Sequence, residues 1–198
     1  MLGLLGCTTP NASVQYTPPA TATLASTREA NGLKITVDPV FDSARSKAYF
    51  KADTSGMGIL AIHIRAENTN PDASFLVQKK NLRFASGASP QTGGAPQAVE
   101  VRKDAADVVG VTGTALLSGP LLLGACVAVN NAAVIQQNLT QAEMRDQTLS
   151  PGQSVSGFVY CSVPKGSVSS GGILKIAAPD LRTQQTTLLE IPISNSTK

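Results

Sequence analysis

The most constraining feature of the sequence is a long apolar segment, residues 108–142, that contains no Asp, Glu, Lys, Arg or His. Its first part, residues 108–129, would be about 33 Å long as an α-helix, which is enough to cross the hydrocarbon core of a membrane. However, Gly119 and Pro120 interrupt the middle of this part, and each half is too short to span a membrane by itself. The segment therefore predicts a bent pair of short helices, or a loop followed by a helix.

A second helix signal follows inside the same segment. Asn130 and Asn131 are of a residue type that caps helix N-termini, so they predict the start of a helix. Beyond them, apolar residues recur at helical spacing with Gln residues between them. The apolar stripe of this predicted amphipathic helix comprises Val134, Ile135, Leu139 and Ala142.

Three roles remain open for the apolar insertion, taken as residues 105–148. It could pack over an open face or end of the domain as a lid, bind a partner protein, or contact a membrane. The last two follow from the usual meaning of a large exposed apolar patch on a soluble protein. Under these two interpretations the predicted contact surface comprises Leu116, Leu117, Leu121, Leu122, Leu123, Val127, Val134, Ile135 and Leu139.

On both sides of the insertion, apolar and polar residues alternate with the period of two that indicates half-buried β-strands. In the clearest case, residues 59–68, apolar side chains occupy every second position and His63 lies on the opposite face. A strand over residues 33–37 is closed by Asp38 and Pro39. Further strands are predicted over residues 75–77, 82–84, 99–101, 155–163, 173–177 and 187–193. About seven strands with Gly, Pro and Asn turns predict a mainly β domain, residues 32–198, built as a β-sandwich.

The N-terminal residues predict a membrane anchor. Leu4-Leu5-Gly6-Cys7 resembles a bacterial lipobox, at which lipoproteins are cleaved and acylated on Cys, so residues 1–7 would end a signal peptide. Such a signal carries a longer apolar stretch after a basic region, and we expect Met1 to lie inside it. Residues 8–31, rich in Thr, Pro and Ala, predict a flexible linker. The resemblance implies a lipid on Cys7, and Thr8 implies the outer membrane; a short apolar N-terminus with a chance cysteine is the alternative.

A second resemblance concerns the strand that follows the insertion. It is carried by Leu149, Pro151, Gly152, Gly157, Val159, Tyr160 and Pro164, which form a turn-and-strand pattern. The pattern is similar to that of immunoglobulin-like domains in bacterial envelope proteins, many of them lipoproteins. Glu67-Asn68-Thr69-Asn70 resembles the partner strand and loop of the same domains. The resemblance implies an immunoglobulin-like β-sandwich in the cell envelope and implies no active site.

Signals for catalysis or cofactor binding are weak. His63 is the only histidine of the chain, and the strand alternation predicts that it faces solvent. Residues 152–157 miss the spacing of a nucleophile elbow, and no regularly spaced carboxylates predict a metal site. Lys and Arg are scattered and aromatic residues make up only 4% of the chain, so nucleic-acid binding is not expected. We therefore expect a protein that is not an enzyme and that needs no cofactor or metal.

Two cysteines remain if Cys7 carries a lipid. Cys126 and Cys161 would form a pair in an oxidising compartment, and a disulfide between insertion and sandwich is one interpretation. Both lie among apolar neighbours, so two buried free thiols are the other interpretation.

Together these features predict a lipid-anchored, non-enzymatic structural or binding protein of the outer membrane, on its periplasmic side or at the surface. The lipid on Cys7 would contact the membrane, and the apolar insertion would contact an envelope protein or a second copy of the chain. The alternative is a carrier of a small apolar ligand or lipid, in which the insertion forms a lid over a pocket.

Overall fold

The computed structural model describes residues 16–17, 25–86, 98–100, 125–163 and 171–194. The predicted lipidation site, Cys7, lies outside these ranges. The same is true of the predicted contact residues Leu116, Leu117, Leu121, Leu122 and Leu123. Cys126 and Val127 belong to a described helix, but their side chains are outside the described set.

Within the described ranges the chain is mainly β, with two α-helices. A 3₁₀ turn, Lys79–Asn81, precedes the fifth strand. In chain order the elements are β1 (Ser26–Ala30), β2 (Leu33–Val40), α1 (Ser43–Phe50), β3 (Ile59–Asn68), β4 (Phe75–Val77), β5 (Leu82–Ser86), β6 (Ala98–Glu100), α2 (Ala125–Ala142), β7 (Gln147–Leu149), β8 (Ser154–Ser162), β9 (Gly172–Pro179) and β10 (Thr186–Ile193).

These strands assemble into two four-stranded sheets and a two-stranded ribbon. The front sheet has the order β1-β2-β3-β8, and the back sheet has the order β10-β9-β5-β6. The ribbon consists of β4 and β7. All of these strand pairs are antiparallel. In the front sheet β8 is therefore an edge strand, with β3 as its neighbour on one side.

The front and back sheets share the main hydrophobic core. Leu33 and Ile35 of β2 belong to the same buried cluster as Phe84 of β5, Leu174 of β9 and Ile191 of β10. Each of these side chains is at most 1% exposed. Fully burying one such side chain contributes roughly 1.5–3 kcal/mol, so this shared cluster is the main source of cohesion between the sheets. The prediction of a mainly β domain is confirmed, and the two sheets form a sandwich-like arrangement.

The outer face of the front sheet carries a second apolar cluster. Because successive residues of a strand point to opposite faces, Ile59 and Ala61 of β3 point away from the main core. They pack in one cluster with Phe50 of α1, Leu139 of α2 and Phe158 of β8. Helix α1 and the C-terminal part of α2 therefore cover one end of the outer face. Strand β3 is consequently buried on both faces over its first half.

Strand β2 extends further than the sequence pattern predicts. Asp38 and Pro39 do not close it, because both pair with β3. Ala30 pairs with Leu33 across a tight two-residue turn, so the odd-numbered residues of β2 direct their backbone polar groups toward β1. The pairing with β1 ends at Val37, and Pro39 therefore has no ladder hydrogen bond to lose on that side.

Three other elements differ from the sequence prediction. Strand β1, Ser26–Ala30, lies inside residues 8–31, which are predicted to be a flexible linker. Helix α1 is absent from the sequence prediction. Helix α2 begins at Ala125, so Asn130 and Asn131 lie inside it instead of capping it. No helix in the described ranges is both long enough and apolar enough to span a membrane.

Candidate functional site

A buried carboxylate organises the outer face of the front sheet. Asp38 of β2 is 1% exposed and lies directly opposite His63 of β3. Its carboxylate accepts hydrogen bonds from Arg45 Nη1 at 3.3 Å and from Arg45 Nη2 at 2.5 Å. Arg45 reaches it because α1 begins beside the end of β2, where the Asp42 side chain caps the helix by accepting from the backbone N–H groups of Ala44 and Arg45. The ion pair therefore joins the first turn of α1 to the front sheet.

Tyr16 connects the segment before β1 to the Asp38–Arg45 ion pair. Its hydroxyl donates a hydrogen bond to Asp38 Oδ2 at 2.7 Å. Its ring stacks on the His63 ring with centroids 3.5 Å apart and planes 4° from parallel. The Tyr49 hydroxyl of α1 donates to the Thr17 carbonyl at 2.6 Å. Together these contacts hold residues 16–17 against the outer face of the front sheet. The set formed by Tyr16, Asp38, Arg45, Tyr49 and His63 is called the clasp below.

His63 is buried, which corrects the prediction that it faces solvent. Its side of β3 is the outer face, as the alternation predicts, but Tyr16 covers that face and leaves His63 only 7% exposed. Burial lowers the pKa of His63 to about 4, helped by the positive charges of Arg45 and Arg65 and opposed by Asp38. The imidazole is therefore neutral at pH 7, where stacking on a phenol ring is favourable.

The protonation states of the clasp residues favour a structural contact over a role in proton transfer. Burial raises the pKa of Tyr16, and its hydrogen bond to Asp38 raises it further, so the phenol stays protonated and remains a donor. The carboxylate of Asp38 bonds Tyr16 and Arg45, whereas the contacts of His63 are ring contacts with Tyr16 and Phe158. In the described part of the chain no group of three or more His, Cys, Asp or Glu residues could hold a metal ion.

A groove of about 590 Å³ lies beside the clasp. One long wall consists of residues 154–158 of β8. The other consists of the last residues of α2 and residues after it, namely Gln141, Ala142, Glu143, Arg145 and Gln147. Tyr16 and His63 form one end, and the walls carry several polar side chains, among them Arg145 and Ser156. This groove is called the β8 groove below. Its mixed polar lining in the described residues suits a peptide or another polar partner better than an apolar cargo.

The inner end of the β8 groove is closed by a very close backbone approach. Glu143 forms a parallel bridge with Phe158, and the Met144 N–H donates to the Phe158 carbonyl at 2.9 Å. A Cβ atom at Gly157 would lie 2.5 Å from Met144 Cα, so only glycine permits this contact. The Lys79 ammonium holds Glu143 in position through an ion pair of 2.6 Å.

The described members of the predicted contact surface have different environments. Val134 is 40% exposed and is available for contact. Ile135 is partly buried against the outer-face cluster. Leu139 is 1% exposed, and its carbonyl accepts a hydrogen bond from the Tyr160 hydroxyl at 2.8 Å. Leu139 therefore belongs to the outer-face cluster and is corrected from a contact residue to a core residue.

Cys161 of β8 is a free thiol in the main core and is fully buried. Burial raises its pKa to about 12, so the thiol is protonated and unreactive at neutral pH. It behaves as a small hydrophobic side chain. The disulfide interpretation involves Cys126, whose side chain lies outside the described residues.

The sequence pattern does not predict a site role for four of the clasp residues, Tyr16, Asp38, Arg45 and Tyr49. Arg45 follows Asp42-Ser43-Ala44, a helix-capping pattern that could have indicated α1. Tyr16 is an isolated aromatic residue within a Thr, Pro and Ala-rich segment, which is a weak signal for a docking residue. Asp38 precedes Pro39, and this pair predicts a turn at the end of the strand instead of a buried carboxylate.

The comparisons with known proteins do not assign the chain to a family. No protein-family model matches it, and the search of curated proteins finds no match.

Proposed function

We propose that this chain is a lipid-anchored, non-enzymatic binding or structural protein of the bacterial cell envelope, built on an immunoglobulin-like β-sandwich. The lipid would be attached to Cys7 and would hold the protein at the outer membrane. The immunoglobulin-like assignment is supported by two four-stranded antiparallel sheets around one core and by the turn at Pro151 and Gly152 that leads into β8.

The observation that carries the proposal is the clasp. It holds Tyr16 on the outer face of the front sheet, and Tyr16 lies nine residues after Cys7. A lipid on Cys7 would therefore keep this face, with the β8 groove, near the membrane surface. A protein that binds partners at the envelope benefits from such a fixed presentation.

The proposal includes the apolar insertion as a second contact surface, for an envelope protein or another copy of the chain. Among the described residues of the predicted contact surface, Val134 is exposed. We expect replacement of Leu121, Leu122 and Leu123 by Ser to lower self-association, measured by sedimentation velocity, or cosedimentation with lipid vesicles. Unchanged behaviour of the folded triple variant in both measurements would remove this surface from the proposal.

The anchor is tested by expressing the natural gene, with its own upstream sequence, in a Gram-negative host and measuring the mass of the N-terminal peptide. We expect a peptide that begins with an acylated Cys7 and comes from the membrane fraction. Cys7→Ala is the matched control and should release the protein from that fraction. An unprocessed Met1 in the soluble fraction would contradict the anchor.

A further inference from the structure

The edge of β8 that borders the groove has a fixed hydrogen-bonding pattern. Backbone polar groups of successive residues in an antiparallel sheet point to alternate sides. The Asn68 N–H donates to the Gln153 carbonyl, and the Val163 N–H donates to the Gly58 carbonyl. The backbone N–H and C=O groups of the odd-numbered residues of β8 therefore point toward β3. Even-numbered residues, including Ser154, Ser156 and Phe158, direct their N–H and C=O groups outward.

Within the described ranges, only part of this outward edge is hydrogen-bonded to other parts of the chain. The Phe158 carbonyl accepts from the Met144 N–H. No hydrogen bond among the described residues uses the backbone groups of Ser154 or Ser156, and both residues are exposed. Two N–H donors and two C=O acceptors are therefore aligned, at the spacing of a β-strand, along the wall of the β8 groove.

The opposite wall provides a charge that a partner could use. Arg145 is exposed and lines the groove, and it has no ion pair or hydrogen bond within the described ranges. Its guanidinium group presents several N–H donors suited to a carboxylate. In most proteins the edge strands of a sheet are short, carry charged side chains or are covered by other elements, because an open edge pairs readily with a strand of another chain. Among the residues that the structure describes, Glu143 and Met144 cover one half of this edge, and the other half lines a groove of about 590 Å³.

We propose that the β8 groove binds an extended segment of a partner protein, which adds to the front sheet as a strand beside Ser154 and Ser156. Backbone hydrogen bonds to these two residues would provide the affinity, and an acidic side chain of the segment would pair with Arg145. This form of recognition, the addition of a peptide strand to an open sheet edge, is a general mode of peptide binding. The inference deepens the proposed binding role and is independent of the lipid anchor.

The test is a titration of the ¹⁵N-labelled 198-residue chain carrying Cys7→Ser with an acetylated and amidated peptide of sequence TVTETVT, followed by NMR. We expect the backbone amide signals of Ser154 and Ser156 to shift and saturate. The control is the same peptide with N-methyl groups on its third and fourth residues. Because successive residues of a strand direct their N–H groups to opposite edges, this peptide lacks one donor on each of its edges and should bind at least about tenfold more weakly. Because the chain is not acylated in this experiment, its result does not depend on the anchor.

Two protein variants separate backbone recognition from side-chain recognition. Ser156→Pro removes an outward N–H group but no hydrogen bond to β3, and we expect it to weaken binding at least about tenfold. Ser156→Ala should bind as the parent does. Arg145→Gln should weaken binding of the Glu-containing peptide by about threefold to fivefold.

The proposal is overturned if the peptide shifts no β8 signal at about 1 mM, or if the N-methylated peptide binds as well as the parent peptide. It is also overturned if the Ser154 and Ser156 signals shift when the protein alone is concentrated, because a second copy of the chain would then occupy the edge.

Discussion

The ring of Tyr16 lies flat on the ring of His63, with centroids 3.5 Å apart. Residue 16 precedes the first strand, whereas His63 lies in the middle of β3, so this contact closes the segment before β1 onto the centre of the front sheet. The hydrogen bond from Tyr16 to Asp38 strengthens the contact, because its acceptor is buried.

Removing the Tyr16 ring should therefore destabilise the domain. We expect Tyr16→Ala to lower the free energy of unfolding by about 2–3 kcal/mol, since the ring is partly buried and its hydrogen bond is lost as well. Tyr16→Phe keeps the stack and should cost about 1 kcal/mol. Urea denaturation at pH 7 measures both values, and an Ala variant as stable as the parent would show that the clasp does not hold the segment.

Stability should fall when the solution is acidified through the range in which an unfolded histidine takes up a proton. The pKa of His63 is about 4 in the folded protein, compared with about 6.5 for an unfolded chain. Because folding lowers this pKa, the unfolded state binds the proton first, and stability declines between about pH 6.5 and pH 4 by roughly 2–3 kcal/mol. Urea denaturation at several pH values in this range measures the decline.

His63→Gln is the control for the pH dependence, because glutamine does not titrate. The difference in unfolding free energy between the parent and this variant should change across the range from pH 6.5 to pH 4 and become constant below it. Asp53, whose pKa is lowered to about 2 chiefly by the Ser55 hydroxyl, titrates below this range in the folded protein. A parallel pH dependence in both proteins would contradict the burial of neutral His63.

The buried ion pair of the clasp should show strong coupling in a double-mutant cycle. Asp38→Asn leaves the Arg45 charge without its partner, and we expect a cost of about 2–4 kcal/mol. Arg45→Met leaves Asp38 with Tyr16 as its remaining partner and should cost a similar amount. The double variant should be more stable than the sum of the two losses implies, by about 1–3 kcal/mol. Additive losses would mean that the two side chains do not interact.

The close approach of residues 143–144 to β8 should depend on Gly157. A methyl group there would collide with the Met144 backbone, and we expect Gly157→Ala to lower the free energy of unfolding by about 1–3 kcal/mol. Ser156→Ala, at the neighbouring exposed position, should have little effect. Faster amide hydrogen exchange at Met144 in the Gly157 variant would locate the damage. Equal stability of the two variants would refute the close contact.

The sequence pattern predicts β3 with its observed bounds, Ile59–Asn68, because strict alternation reports directly on strand geometry. Alternation also assigns His63 to the correct face of the strand. It does not report whether that face is covered, and Tyr16 covers it from a position 47 residues away in the sequence. Burial of this kind is a tertiary property that a local pattern does not contain.

The elements that the sequence pattern misses are short or polar. Helix α1 has eight residues and only a weak apolar stripe, so its capping residue Asp42 is the main local signal. Strand β1 is an exposed edge strand of polar residues, which resembles the linker that precedes it. The lipid anchor on Cys7 stays a prediction, since Cys7 lies outside the described residues. The same holds for five leucines of the apolar insertion, Leu116, Leu117, Leu121, Leu122 and Leu123.

If Cys7 carries the proposed lipid, the docking of Tyr16 changes the volume that the domain can sample around that anchor. Cys7 is nine residues before Tyr16 and nineteen before the start of β1. A fully extended chain spans at most about 3.3–3.6 Å per residue, so the docked form reaches roughly 30 Å from the anchor, about half of the undocked reach. For a partner in the same bilayer, halving this radius raises the effective concentration of the β8 groove severalfold. Release of the Tyr16 ring would thus lower the effective concentration of the β8 groove near the anchor and lengthen the distance over which the domain reaches a partner.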